Sequence, residues 1–270
     1  MLAQLDRATL NYEIEGPEDA PTVMFSHSLA ADLSMFDPQM PAFREAGYRI
    51  LRYDMRGHGA SVPPEGAERD ITIHDLAEDV VQLLDHLGIG AVHWVGLSMG
   101  GMIGQVLGLD HPGRVESLCL TSTTSHIPEE MGPTWDERMA NARAQGMAAI
   151  VDGTIERWFT KEGRDAGLQA IEPVRRMIAN TSLEGYVACC GAVKRWRFRD
   201  RLPEIRKPAL VVQGRYDPST NVEAGQVIAE RLPGARIEVV EDASHFANVE
   251  QADRWTAIVK GWVDEQANGA

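Results

Sequence analysis

The sequence predicts an α/β protein: a mostly parallel central sheet flanked by helices, with a helical cap inserted into it. Three observations carry that expectation. Short apolar runs alternate with helical periodicity as far as residue 120, the pattern of a parallel sheet with crossover helices. The alternation then breaks, because Thr121 to Arg201 holds helical stretches and no convincing strand before strand–helix order resumes at Pro208. Finally, His93-Trp94-Val95-Gly96-Leu97-Ser98-Met99-Gly100-Gly101 runs from an apolar strand through Gly-x-Ser-x-Gly into a helix, the context that a nucleophile elbow requires. The expected organisation is a core of residues 1–124 and 202–270, with the cap at 125–201.

In chain order, Leu2–Glu15 reads as a β-hairpin, because Thr9 to Glu15 alternates apolar and polar side chains. Gly16 to Pro21 is turn chemistry. Thr22-Val23-Met24-Phe25-Ser26 is a continuous apolar run, as expected of a strand buried on both faces. The next strand, Tyr48–Tyr53, ends in Asp54-Met55-Arg56-Gly57-His58-Gly59. From Ile73 to Leu87 the residues Leu76, Val80, Leu83, Leu84 and Leu87 recur at helical spacing, and Gly88 stops the helix. A helix over Met102–Leu109 follows the elbow, His111-Pro112-Gly113 ends it, and Val115–Leu120 is another buried strand. Cap helices are expected at Trp135–Gln145 and Met147–Phe159. Pro208–Gln213 and Arg236–Val240 complete the strands, and Val249 to Val263 closes the chain as an amphipathic helix.

Composition narrows the function. A hydrophobic fraction of 44% and a charged fraction of 24% are those of an ordinary globular protein. The formal charge of −14 argues against non-specific nucleic-acid binding, although a local cluster can carry the opposite sign. The cap holds such candidates in Arg138, Arg143, Arg157, Lys161, Lys194, Arg195 and Arg197. No apolar run reaches membrane-spanning length, and Met1 to Asp6 lacks the basic and apolar regions of a signal peptide. The three cysteines, Cys119, Cys189 and Cys190, fit no zinc-site spacing. The expectation is a cytoplasmic protein with reduced thiols, no metal, no cofactor, and neither a membrane nor a nucleic acid as partner. Homo-oligomerisation stays open.

The chemistry starts at Ser98. An elbow lifts its hydroxyl clear of the sheet and sets the Met99 N–H at a helix N-terminus, where a developing oxyanion is stabilised. The small-residue turn His27-Ser28-Leu29-Ala30-Ala31 follows a central strand, and Leu29 N–H is assigned as the second oxyanion donor. Asp217 lies in the turn Gly214-Arg215-Tyr216-Asp217-Pro218 and His245 in the loop Glu241 to Phe246, each just past a strand. Nucleophile, acid and base therefore fall in the order Ser98, Asp217, His245 at one edge of a parallel sheet. Neutral imidazole can take the serine proton near pH 7, and the carboxylate orients that imidazole. The competing residues fit less well. His58 reads as a structural histidine in a Gly-flanked turn, Asp242 as a solvated turn residue, and Thr121-Ser122-Thr123-Thr124 offers no acid.

With those residues the chain resembles the α/β-hydrolases, and among them the 3-oxoadipate enol-lactonases. The stretches that carry the resemblance are Ser26 to Asp37, Leu51 to Gly59, Gly100-Gly101-Met102-Ile103-Gly104-Gln105, Trp135-Asp136-Glu137-Arg138, Gly146 to Ala149, and Glu156-Arg157-Trp158-Phe159. The resemblance implies ring opening of a small carboxylated enol-lactone in aromatic catabolism, without metal or organic cofactor. Trp135, Arg138 and Arg195 are the candidates for holding the substrate, with packing inside the cap as the other reading of Trp135. Two departures bear on the substrate. Ala30-Ala31 stands where these lactonases carry Gly-Thr, and Lys194-Arg195-Trp196-Arg197-Phe198 stands where acidic residues are expected. The second change favours a carboxylesterase acting on small or aromatic esters. A C–C bond hydrolase and a binding protein on the same scaffold are the remaining alternatives, and the intact Ser98, Asp217 and His245 argue against the latter.

Overall fold

The structure is a computed structural model that describes residues 1–62 and 70–269. Its strands are β1 (Leu2–Gln4), β2 (Thr9–Glu15), β3 (Thr22–Ser26), β4 (Arg49–Tyr53), β5 (Val92–Leu97), β6 (Val115–Thr121), β7 (Ala209–Gly214) and β8 (Arg236–Val240). They form one sheet in the order β1-β2-β4-β3-β5-β6-β7-β8. Only the β1–β2 and β2–β4 pairings are antiparallel; from β4 to β8 the sheet is parallel. Every residue of β3, β5 and β7 is buried, as continuous apolar strands covered on both faces require. Side chains alternate between two apolar layers, with Met24 in one and Val23 and Phe25 in the other.

The chain leaves β3 for β4 on one side and later returns to β5 on the other. That reversal opens a crevice at the carboxyl ends of β3 and β5, the place where open α/β sheets bind ligands. The turn after β3 and the elbow after β5 both face it.

The helices on the sheet are α1 (Met40–Glu45), α2 (Ile73–His86) and α3 (Met99–Asp110). Thr72 and Asp75 close a capping box on α2, a start signal the apolar spacing alone does not give. Helix α3 begins at Met99, three residues before the expected Met102, because the glycines of its first turn conceal it from a hydrophobic pattern. Between β6 and β7 the chain is helical: α4 (Gly132–Gln145), α5 (Val151–Trp158), α6 (Lys161–Asp165), α7 (Ile171–Asn180) and α8 (Leu183–Lys194). The stretch expected as one helix from Met147 is a 3₁₀ turn, Met147–Ile150, leading into α5. After β7 come α9 (Val222–Arg231), α10 (Ala247–Glu250) and α11 (Ala252–Asn268). Gln251, at φ −126° and ψ 54°, splits the expected closing helix in two. All three cysteines are free and buried, and burial pushes their thiols up. Among the described residues no helix is long and apolar enough to cross a membrane.

Candidate active site

The elbow is built by close backbone approach. A Cβ on Gly96 would lie 2.2 Å from Gly100 O, and one on Gly100 would lie 2.2 Å from Ser26 O. Glycine is the residue both contacts allow. Ser98 between them adopts φ 57° and ψ −109°, a strained conformation that the surroundings must enforce. They do so from two strands and the turn after a third. Ser98 N–H donates to Thr121 O at 2.9 Å, Gly100 N–H to His27 O at 3.2 Å, and Trp94 Nε1 to Gly100 O at 3.0 Å. Thr123 Oγ1 donates to Ser98 O at 2.7 Å, which gives the threonine run after β6 a use other than supplying an acid.

Asp217 is buried and tied into its own turn. Its Oδ1 accepts from Ser219 N–H at 2.7 Å and Thr220 N–H at 3.0 Å. Its Oδ2 accepts from Thr220 Oγ1 and from His245 Nδ1, each at 2.7 Å. The His245 side chain is 3% exposed and that of Asp217 fully buried. Thr220 is a residue that sequence reasoning passed over. Its signal was present, since Asp-Pro-Ser-Thr has the form of an Asx turn in which the carboxylate binds the backbone ahead of it. Asp242 is exposed at φ 58°, in keeping with its reading as a turn residue.

The turn after β3 rests on a buried histidine. His27 Nδ1 donates to Ser28 O at 2.7 Å, and its Nε2 accepts from Met55 N–H at 2.8 Å. That pair of bonds uses the neutral ring, and burial lowers its pKa to about 4. His58 lies 5.3 Å away, ring to ring, and is also fully buried. Burial and the His27 charge lower its pKa to about 3. It sits beneath the site and does not line it. Ala30 takes φ 61°, where glycine is unstrained and alanine costs about 1 kcal/mol. This is the position at which the resemblance leads one to expect glycine.

Ser98, His245, Leu29 and Met99 line one cavity of about 410 Å³. Its opposite wall comes from the helical segment between β6 and β7, through Trp135, Arg138, Thr154, Arg157, Trp158 and Tyr186. Among the described residues no aspartate or glutamate lines it. Arg138 lies over the Trp135 ring at 4.7 Å from its centroid. Arg157 donates to Thr154 Oγ1 at 3.1 Å, and burial together with the Arg138 charge holds its guanidinium below the usual arginine value.

Of the cap residues singled out from sequence, Trp135 and Arg138 reach this cavity and Arg195 does not. Arg195 pairs with Asp70 at 2.9 Å and donates to Ile71 O at 2.7 Å, on the outside of α8. Arg157 is the second cation in the cavity; it lies in Glu156-Arg157-Trp158-Phe159, one of the stretches that carry the resemblance, but is not among the residues singled out for the substrate. The stretch Lys194–Phe198, a departure that bears on the substrate in the sequence, does not line the cavity. Lys194 pairs with Asp136 at 2.6 Å, and Trp196 and Phe198 stack in the core at 4.9 Å.

The family profile of the alpha/beta hydrolase fold matches residues 21–160. The chain belongs to the α/β-hydrolase fold family, and it is a hydrolase. It is similar to 3-oxoadipate enol-lactonase 2 of Acinetobacter baylyi, with 38% identity over 93% of this chain and 91% of that one. Its identity to 3-oxoadipate enol-lactonase 1 of the same organism is 34%, over 97% and 96%. Among solved structures, the enol-lactonase from Burkholderia xenovorans superposes with a TM-score of 0.92 at 36% identity, covering 98% of this chain and all of that one.

Proposed function

We propose that this hydrolase cleaves an ester bond, opening a small carboxylated enol-lactone of the 3-oxoadipate enol-lactone type through an acyl-enzyme on Ser98. The observation that carries the reading is the charge of the cavity. In a chain of net charge −14, the wall facing Ser98 and His245 holds, among the described residues, two guanidiniums and no carboxylate. Such a wall suits a substrate that brings its own carboxylate, since guanidinium–carboxylate bonds are strong and directional. The names of the similar enol-lactonases support the same substrate class. The altered stretch Lys194–Phe198 gives no support to a neutral ester, because none of it lines the cavity: Lys194 and Arg195 pair with Asp136 and Asp70, and Arg197 donates to Lys194 O and Trp196 O.

In this mechanism His245 Nε2 takes the Ser98 proton as Oγ attacks the lactone carbonyl. Asp217 accepts from Nδ1–H, which fixes the tautomer and stabilises the imidazolium. Leu29 N–H and Met99 N–H hold the tetrahedral oxyanion, each worth about 3 kcal/mol in the transition state. The C–O bond of the ring then breaks. The enol oxygen leaves with assistance from His245 as acid, more readily than an alkoxide does. Water, deprotonated by His245, attacks the acyl carbonyl and releases Ser98 with the second carboxylate of the product.

The test is hydrolysis of the 3-oxoadipate enol-lactone beside a panel of neutral aryl and alkyl esters, with Ser98→Ala as control. Lactone kcat/KM should exceed that of the best neutral ester by about 100-fold, the worth of a well-made charged contact. Ser98-dependent ester turnover with negligible lactone turnover overturns the lactonase reading in favour of a carboxylesterase.

A further inference from the structure

The loop that carries His245 is tied to the helix that carries Arg157 and Trp158, and one side chain spans the two. Glu250, the last residue of α10, reaches between them. On the cap side its Oε1 accepts from Thr160 N–H at 2.8 Å and from Thr160 Oγ1 at 2.5 Å. On the other side its Oε2 accepts from Ser244 N–H at 2.8 Å, next to His245. Thr160 Oγ1 also accepts from Gly163 N–H at 3.0 Å, so the same hydroxyl caps α6. A Cβ on Gly163 would lie 2.5 Å from Glu250 Oε1; glycine is what lets the cap come this close.

The groups facing Glu250 are all donors. A carboxylate presents only acceptors to them, whereas a glutamine turns an NH₂ toward one end. Other contacts lie alongside. Ser244 Oγ donates to Arg157 O at 2.8 Å, and Phe246 N–H to Trp158 O at 3.0 Å. The Trp158 and Phe246 rings stack 3.9 Å apart at 12°. The cavity-facing end of α5 and the His245 loop are thus one connected unit, with Glu250 as its only described side chain hydrogen-bonded to both Thr160 and Ser244.

We propose that Glu250 is a positioning residue for His245: by bridging Thr160 and Ser244 it holds the imidazole in register with Ser98 and with the Arg157 guanidinium. This rests on the ester-hydrolase reading above. A substrate gripped at its carboxylate reaches Ser98 only if the cap and the base keep a fixed spacing. Loosening the bridge costs turnover rather than binding, and a misplacement of about 1 Å can cost about 100-fold.

The experiment uses the full chain as wild type, Glu250→Gln, Thr160→Val and, as blank, Ser98→Ala. Three quantities are compared: the rate at which a neutral aryl phosphonate labels Ser98, kcat and KM on a neutral 4-nitrophenyl ester and on the enol-lactone, and the melting temperature. Labelling needs the nucleophile and its base but not the natural substrate. Glu250→Gln should slow labelling and lower kcat by at least about 10-fold, with the neutral-ester KM within about twofold of wild type. Thr160→Val keeps the carboxylate and removes one donor, so a fall of about threefold is expected, and it carries the test if Glu250→Gln does not fold. Lower melting temperatures with wild-type labelling and kcat would make Glu250 a structural brace and overturn the proposal. So would a raised KM at unchanged kcat. Failure of the lactonase reading looks different: wild type labels and hydrolyses neutral esters but not the lactone, while the Glu250→Gln effect on labelling persists and supports the bridge. A wild-type Ser98 that the phosphonate does not label overturns both.

Discussion

The two walls of the cavity are made in different ways. On the core wall, Leu29, Ser98 and His245, the last backed by the buried Asp217, each follow a parallel strand by a few residues, as Asp217 does, so sheet order alone gathers them at one edge. On the opposite wall, Trp135, Arg138, Arg157 and Trp158 sit on α4 and α5. Which face of each helix turns inward there is decided by helix–helix packing. Short turns at strand ends fix direction locally, whereas helices of a cap acquire it from partners distant in sequence. The core wall is therefore fixed by strand ends, and the opposite wall by the packing of helices.

That contrast predicts effects of different size. On the core wall, Asp217→Asn should keep the fold and lower kcat by about 10⁴-fold, because the amide favours the wrong histidine tautomer. The loss should be the same for a neutral ester and for the lactone. A loss confined to the lactone would mean that Asp217 acts on the substrate, and the division between the walls would break.

The core beneath that wall carries an acid sensitivity. His27 and His58 are held near pKa 4 and 3 against an ordinary value of 6.5. Below that ordinary value the unfolded chain takes up protons that the folded protein refuses. Stability present at neutral pH is therefore lost as pH falls from about 6.5 toward 4, by about 3 kcal/mol from His27 alone. Melting temperature should hold steady above pH 7 and fall through this window. His58→Gln keeps a donor for Arg56 O, which His58 Nδ1 now serves at 2.9 Å, and removes one titration, so it should flatten the slope. A flat curve down to pH 4 in wild type would show that neither ring is as buried as described.

How much of this was legible in the sequence follows the same division. The strands at Thr22 and Val115 are readable as largely buried apolar runs, the strand at Arg236 as an apolar–polar alternation at the sheet edge, and Ser98, Asp217 and His245 as candidates because each sits in punctuated turn sequence. The start of α3 was not, since Gly100 and Gly101 erase the hydrophobic period just where the helix begins. Thr220 and Thr72 were written as local turn and cap signals, and were recoverable. Arg157 was not recoverable in the same way. Charge and helical periodicity do not separate it from Arg195; the resemblance of Glu156-Arg157-Trp158-Phe159 marks its stretch, but the docking of α5 against the His245 loop is what turns Arg157 inward.

Those two arginines give the smallest and most discriminating test. Arg157→Met removes a cation from the cavity while keeping much of its apolar stem, and Arg195→Met does the same on the outer face of α8. If the cap wall selects carboxylates, Arg157→Met should lower lactone kcat/KM by about 10- to 100-fold, chiefly through KM, and leave neutral esters within about threefold. It also relieves repulsion with Arg138, so the protein should not lose melting temperature in proportion. Arg195→Met breaks an exposed pair with Asp70, and such pairs contribute at most about 1 kcal/mol. Its lactone kinetics should stay within about twofold of wild type. Equal losses from both variants would trace the preference to the general field of the cap and not to the groups facing Ser98, and the substrate's carboxylate would then have to be sought along the outer face of α8.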